Sequence, residues 1–148
     1  MRGVLRVLLF VVAGPYVGLL AMAVLIGTYT LVTTGSTRDF TFGPELVSPG
    51  LLIVAYSVGG IPALLTGIAA IFIARWKSSS ARWLLTALAG GIISLAETLV
   101  LFGGGPELLG VREEPQIVVV VTLAGAIAGF ICAMLFDGLV ALLGRRVA

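Results

Sequence analysis

Four long stretches of this 148-residue chain carry no charged side chain, at 7–37, 46–74, 83–96 and 115–136. An α-helix needs about 20 apolar residues to cross a bilayer, and three of the stretches are longer than that. The remaining one, at 83–96, reaches this length when Glu97 is tolerated within it. A soluble domain has about 25% charged residues, whereas this chain has 11%. The pattern therefore predicts a membrane protein and excludes a water-soluble globular domain.

The spans are predicted to be helical, because a membrane-spanning β-strand would show about 10 residues of alternating polarity. Their apolar residues instead occupy every face, and no long linker separates one span from the next. We expect an all-α fold, a four-transmembrane-helix bundle that forms one integral membrane domain over 1–148. The predicted spans are about 5–32, 51–74, 83–102 and 116–143.

Basic residues predict the orientation, because Lys and Arg are enriched in cytoplasmic loops. Seven of them fall on the side of the membrane that holds both termini, and two fall on the other side. The seven are Arg2, Arg6, Arg75, Lys77, Arg82, Arg145 and Arg146, and the two are Arg38 and Arg112. Both the N and C termini are therefore expected to be cytoplasmic, in a multi-pass protein of the bacterial cytoplasmic (inner) membrane.

Composition also excludes several classes of chemistry. The chain has no histidine and one cysteine, Cys132, so histidine-ligated metal sites and Ser-His-Asp or Cys-His catalysis are excluded. We expect no metal, no cofactor and no enzymatic activity. The net charge of +2 is explained by cytoplasmic loops, and no basic run with interleaved aromatic residues indicates nucleic acid.

An internal repeat is visible between the first and third spans. At an offset of 76, residues 8–27 lie over residues 84–103 with eight identities, which include Gly14/Gly90 and Gly27/Gly103. The second and fourth spans align less well, through Gly59/Gly125 and Ile61/Ile127. Because equivalent spans would share one orientation, the pattern suggests a duplicated helical hairpin, and chance matching between apolar spans is the alternative.

Each span also carries small residues at a spacing of four. They are Gly14 and Gly18 in the first span, Gly59, Ala63 and Gly67 in the second, Gly90 and Ser94 in the third, and Gly125, Gly129 and Ala133 in the fourth. Small residues let helix backbones approach closely in lipid, where no water-driven force joins them. They predict helix packing, either within the bundle or against a second copy or another membrane protein.

Glu97 is the candidate for intramembrane chemistry. It lies about 22 Å along the helix from Arg82, which places it in the outer half of the hydrocarbon. An ionised carboxylate costs several kcal/mol there, so we expect it to be protonated, paired or turned towards a polar cavity. The candidate polar site comprises Glu97, Ser94, Thr98, Tyr16 and Tyr56. It handles protons or cations in one interpretation and fixes helix packing in the other.

Asp137 is expected near the cytoplasmic interface, two turns before Arg145. We expect it to pair with Arg145, with Arg6 or with the basic residues of the 75–82 segment. Contact with a substrate or partner is the alternative.

Two pieces of sequence carry a resemblance. Gly14-Pro15-x-x-Gly18 and Tyr56-x-x-Gly59-x-x-Pro62-Ala63-x-x-x-Gly67 resemble small multi-spanning bacterial inner-membrane proteins of the domain-of-unknown-function type. The resemblance covers mainly the first two spans and implies location and topology, and no site residue.

The expected function is that of a non-enzymatic membrane protein acting through helix packing. It would be a homo-oligomer or an accessory subunit of a membrane complex, with the lipid bilayer and a membrane-protein partner as its contacts. The alternative is a small oligomeric transporter or channel, proton-linked through Glu97.

Overall fold

The computed structural model of the chain contains four α-helices and describes residues 2–35, 48–75, 78–102 and 115–145, among which no strand occurs. The helices are α1 (Arg2–Thr34), α2 (Pro49–Ile73), α3 (Ser79–Phe102) and α4 (Pro115–Arg145). Each one is long and apolar enough to cross a membrane. The prediction of an all-α fold with four helices of membrane-spanning length is confirmed.

Local capping sets the start of α2. Pro49 occupies the first helical position, where its missing N–H would have had no partner within the helix. The Ser48 side chain accepts a hydrogen bond from the Leu51 N–H at 3.3 Å. Two standard signals, a serine cap and an N-terminal proline, thus explain why α2 begins where it does.

Capping also explains two differences from the predicted spans. α3 begins at Ser79, four residues before the predicted start at Trp83, because the Ser78 side chain accepts the Ala81 N–H at 3.5 Å and the Ser78 carbonyl oxygen accepts the Arg82 N–H at 3.1 Å. α1 ends before Gly35, which has φ +67°, a left-handed conformation that suits glycine. The Gly35 N–H closes the helix on the Leu31 carbonyl at 3.0 Å.

The helices form an antiparallel ring in the order α1, α2, α3, α4, with α4 also packed against α1. The contacts show that α1 and α2 run in opposite directions. Gly14 contacts Ala63, whereas Gly59, which comes earlier in α2, contacts Pro15, which comes later in α1. The ring therefore has two ends. We call the end that holds the start of α1 and the end of α4 the termini end, and the other the loop end.

Large apolar side chains lie on the outside of this bundle and small ones lie inside. Val4, Val32 and Val100 are 66–78% exposed, whereas most buried apolar residues are alanines, and the buried polar residues are Thr66, Thr86, Ser94 and Thr98. A soluble protein would expose far fewer large hydrophobic residues in one continuous surface. The arrangement is compatible with a multi-pass membrane protein whose large side chains contact lipid.

Several residues used in the topology prediction lie outside what the structure describes. These are Arg38, Lys77, Arg112 and Arg146, together with the side chains of Arg2 and Arg145.

Candidate functional site

Helices α3 and α4 contact each other through backbone atoms. A Cβ atom added to Gly90 would lie 2.5 Å from the Gly125 carbonyl oxygen, and one added to Gly129 would lie 2.7 Å from the Thr86 carbonyl oxygen. A Cβ atom on Gly125 would overlap the Ser94 side chain. Because real Cβ atoms essentially never come within 3.0 Å of such neighbours, this contact requires glycine at all three positions.

Helices α1 and α2 meet through the two sequence pieces that carried the resemblance. A Cβ atom on Gly14 would lie 3.0 Å from the Ala63 Cβ atom, and one on Gly59 would lie 3.5 Å from Pro15. A Cβ atom on Gly67 would lie 3.2 Å from the α1 backbone. The small-residue rows of α1 and α2 thus face each other inside the bundle. Gly18 faces Ala128 of α4, and Ala133 lies in the buried core.

The small residues also border a central cavity of about 320 Å³. All four helices contribute to its wall, which includes Gly14, Gly18, Gly59, Gly125 and Gly129. The cavity is only partly enclosed by the bundle. It exists because residues without side chains face the axis, where larger ones would fill the space.

Glu97 and Ser94 line this cavity together with Thr66. Glu97 is the one charged residue that the described part of the chain contributes to the wall, and the rest of this lining is predominantly apolar. Within the described part of the chain the Glu97 carboxylate has no hydrogen bond or ion pair. Of the three alternatives expected for Glu97, a bound proton, an ionic partner or a polar cavity, the described wall offers no ionic partner and is mostly apolar, with the Thr66 and Ser94 hydroxyls as its other polar groups.

The other three predicted members of the polar site do not line the cavity. Thr98 is buried and donates to the Ser94 carbonyl oxygen at 2.7 Å, within its own helix. Tyr56 is exposed and its hydroxyl donates to the Val12 carbonyl oxygen of α1. Tyr16 is half-buried in α1. The structure thus places Glu97 and Ser94 in the wall of one cavity, with Thr66 at its other end along α2, and leaves Thr98, Tyr16 and Tyr56 out of that wall.

An apolar layer closes the cavity on the side of the termini end. It consists of Phe10, Ala70, Cys132 and Ala133, which form one buried cluster. Phe10 is 1% exposed and borders both the cavity and the smaller space beyond this layer. We call these four residues the plug, because they separate the cavity from the charged groups at the termini end.

Beyond the plug, Asp137 joins three helices. Its carboxylate accepts from Arg82 Nη2 at 2.9 Å and from Trp83 Nε1 at 3.0 Å, and Arg6 Nη2 lies 3.6 Å away. Two of the predicted partners, Arg6 and the 75–82 segment, are therefore found, and the Arg145 side chain lies outside the described residues. These four residues, Arg6, Arg82, Trp83 and Asp137, form what we call the charged cluster.

Arg6 makes further contacts that hold it in place. Its Nη1 donates to the Ala70 carbonyl oxygen at 2.7 Å, and its guanidinium lies 4.3 Å from the centre of the Phe136 ring. A cation over an aromatic face gains about 0.5–2 kcal/mol, depending on how far it is removed from water. The charged cluster is thus well satisfied, which points to a structural role at the termini end.

Two features of this arrangement had no signal in the sequence. Nothing in the sequence indicates a partner for Trp83, yet its indole N–H donates to the Asp137 carboxylate. Phe10 looks like any apolar residue of the first span, yet it forms the floor of the cavity. Both roles depend on which helix faces which.

Comparison with protein-family models, curated proteins and solved structures finds no match to this chain. The resemblance to small inner-membrane proteins therefore stays a prediction. Among the described residues, no group of three or more His, Cys, Asp or Glu side chains could hold a metal ion.

Proposed function

We propose that the chain is a non-enzymatic, multi-pass protein of the bacterial cytoplasmic membrane that binds a small, largely apolar molecule in its central cavity. The observation that carries the proposal is the cavity itself: about 320 Å³, bordered by all four helices and, within the plug, by Phe10. Ligand sites in proteins are concave, mostly apolar and equipped with a few polar groups. This cavity has that composition, with Glu97, Ser94 and Thr66 as its polar groups.

Binding can be located by NMR of alanine methyl groups in detergent micelles, with the neutral probe tert-butylbenzene. We expect the probe to shift the methyl signals of Ala63 and Ala124, which line the cavity. The methyl group of Ala96, which is exposed on α3, reports partition of the probe into the micelle. Two outcomes would overturn the proposal. The first is that the probe shifts only the Ala96 methyl signal. The second is that the Ala63 and Ala124 methyl groups contact a detergent or lipid chain that the probe does not displace.

A matched pair of variants tests whether the cavity is the site. Gly18 lines the cavity, and a Cβ atom there would lie 4.0 Å from its nearest neighbour, the Ala128 Cβ atom. Gly18→Leu should therefore fill the cavity without a backbone clash and abolish the shifts at Ala63 and Ala124. Gly60 has nothing within 4 Å and does not line the cavity, so Gly60→Leu should retain them. Retention of the shifts by Gly18→Leu would exclude the cavity as the binding site.

The proposal includes orientation, with the termini end in the cytoplasm, supported by the seven basic residues on that side. A C-terminal green fluorescent protein fusion should fluoresce, because that reporter folds in the cytoplasm, and a C-terminal alkaline phosphatase fusion should be inactive. An active phosphatase fusion and a dark fluorescent fusion would place the C terminus on the outside.

The geometry is also compatible with the proposal of a duplicated hairpin. Gly14 packs against Ala63. Gly90 lies close to Gly129, because a Cβ atom added to Gly90 would lie 3.5 Å from the Gly129 Cα atom. In the sequence alignment Gly14 corresponds to Gly90, and the Gly59/Gly125 match places Ala63 opposite Gly129. Equivalent residues thus meet in the two hairpins, as expected if one arose from the other.

Transport is a second candidate function, favoured by access to the cavity. Val54 and Val58 line it and are 57% and 50% exposed, so the cavity is reached from the lipid-facing surface, whereas the plug lies towards the termini end. A carrier alternates such a closure between the two sides of the membrane. Four helices are few for a pathway through one copy, so this function requires an oligomer, with Glu97 as the group that exchanges a proton.

The predicted role through helix packing, as a homo-oligomer or accessory subunit, stays a hypothesis. The glycine rows that suggested an interface lie between helices of one copy, so they no longer favour a second protein.

A further inference from the structure

The charge in the cavity wall narrows the class of ligand. Among the described residues that line it, Glu97 is the one that carries a charge. Two of the described arginines, Arg6 and Arg82, lie beyond the plug and contact Asp137 instead. An isolated carboxylate inside a membrane is unfavourable by several kcal/mol, and this cost is relieved by a proton or by a cation placed beside it.

The position of Glu97 along the cavity sets how such a cation would lie. The cavity extends along α2 from Thr66 to Leu51, which is about 22 Å of helix. Ser94 lies beside Gly125, and Glu97 lies about one turn nearer the loop end. The wall at the deep end, around Phe10, is apolar except for Thr66. A ligand would therefore place its charged part near Glu97 and point its apolar part towards Phe10.

We infer that the cavity takes a hydrophobic monocation, a compact apolar body that carries one positive charge, with Glu97 as its counter-ion. The inference rests on the proposed binding function and adds the ligand's charge and orientation. Removal of both ions from water strengthens their attraction, and the apolar body gains from burial in proportion to its area. Anions are disfavoured by the same carboxylate, and no cation in the described wall opposes it.

Two probes of the same shape test the charge. Phenyltrimethylammonium carries one positive charge, and tert-butylbenzene is its neutral isostere, with carbon in place of nitrogen. We expect Glu97→Gln to weaken phenyltrimethylammonium binding by about 30-fold or more, as for truncation of a buried charge pair. Binding of tert-butylbenzene, followed at Ala63 and Ala124, should change less than about twofold. Glu97→Asp keeps the charge and should restore a large part of the cation's affinity.

The possible failures are distinguishable. If Glu97→Gln leaves cation binding unchanged while both probes still shift Ala63 and Ala124, the inference is wrong and the proposed function stands. Equal binding of the anion benzenesulfonate would also overturn the inference. If neither probe reaches these methyl groups in the native protein, the proposed function fails. Unchanged thermal unfolding of Glu97→Gln shows that a loss of cation binding does not come from misfolding.

Discussion

Replacement of Gly125 by alanine is expected to lower the free energy of unfolding by about 2 kcal/mol, a typical cost of overpacking. The added methyl group would overlap the Ser94 side chain and lie 2.8 Å from the Gly90 carbonyl oxygen. The backbone of α3 cannot yield without moving the whole helix, so α3 and α4 must separate. The measurement is reversible unfolding in mixed detergent micelles, followed by circular dichroism.

Gly138→Ala is the matched control, on the same helix. Gly138 is exposed and has nothing within 4 Å, so its methyl group meets no neighbour. Alanine is favoured over glycine in a helix interior by up to about 1 kcal/mol, so this variant should be neutral or more stable. The two substitutions are thus expected to change the free energy of unfolding in opposite directions or by clearly different amounts. Equal effects would show that the α3–α4 contact is looser than described.

Asp137→Ala is expected to destabilise the protein by about 3 kcal/mol, the lower part of the range for breaking a buried ion pair. The substitution removes the acceptor of Arg82 and Trp83 and leaves two guanidinium groups, of Arg6 and Arg82, without their carboxylate. The side chains concerned are only 14–21% exposed, so water replaces the lost partner poorly. Asp137→Asn retains an acceptor for the Trp83 indole and should cost less.

Double-mutant cycles separate the contributions of the two arginines. The cycle of Asp137→Asn with Arg82→Gln should give a coupling energy of about 2 kcal/mol. The cycle of Asp137→Asn with Arg6→Gln should give a coupling energy of less than about 1 kcal/mol. The order follows from distance, 2.9 Å for Arg82 and 3.6 Å for Arg6. The reverse order, or an Asp137→Ala variant as stable as the native protein, would contradict the described charged cluster.

The helices could be predicted because bilayer thickness and backbone hydrogen bonding are local constraints. A run of about 20 uncharged residues has few alternatives to a helix in a membrane. The start of α3 was missed by four residues, since hydropathy locates the apolar segment and not the Ser78 cap that extends it. Basic residues at one end of the spans were predicted as partners of Asp137, and Arg6 and Arg82 are found there. Trp83 was not predicted as a hydrogen-bond donor to it.

The site around Glu97 was predicted less well. Residues that share its helical face could be found by counting, and Ser94, three positions away, does line the cavity with it. Hydroxyls on other helices could not be assigned, because their direction depends on helix rotation. Tyr56 contacts α1 instead, and Thr66 shares the wall with Glu97.

The sequence by itself determined four apolar helices, the side on which basic residues gather and the depth of Glu97 along its helix. These properties follow from residue spacing along one chain segment. Only the tertiary structure decided that glycines on α1, α2 and α4 border one cavity, with Glu97 in its wall and Asp137 separated from it by the plug. A small residue allows either close contact or a void, and the choice depends on what the facing helices place opposite it.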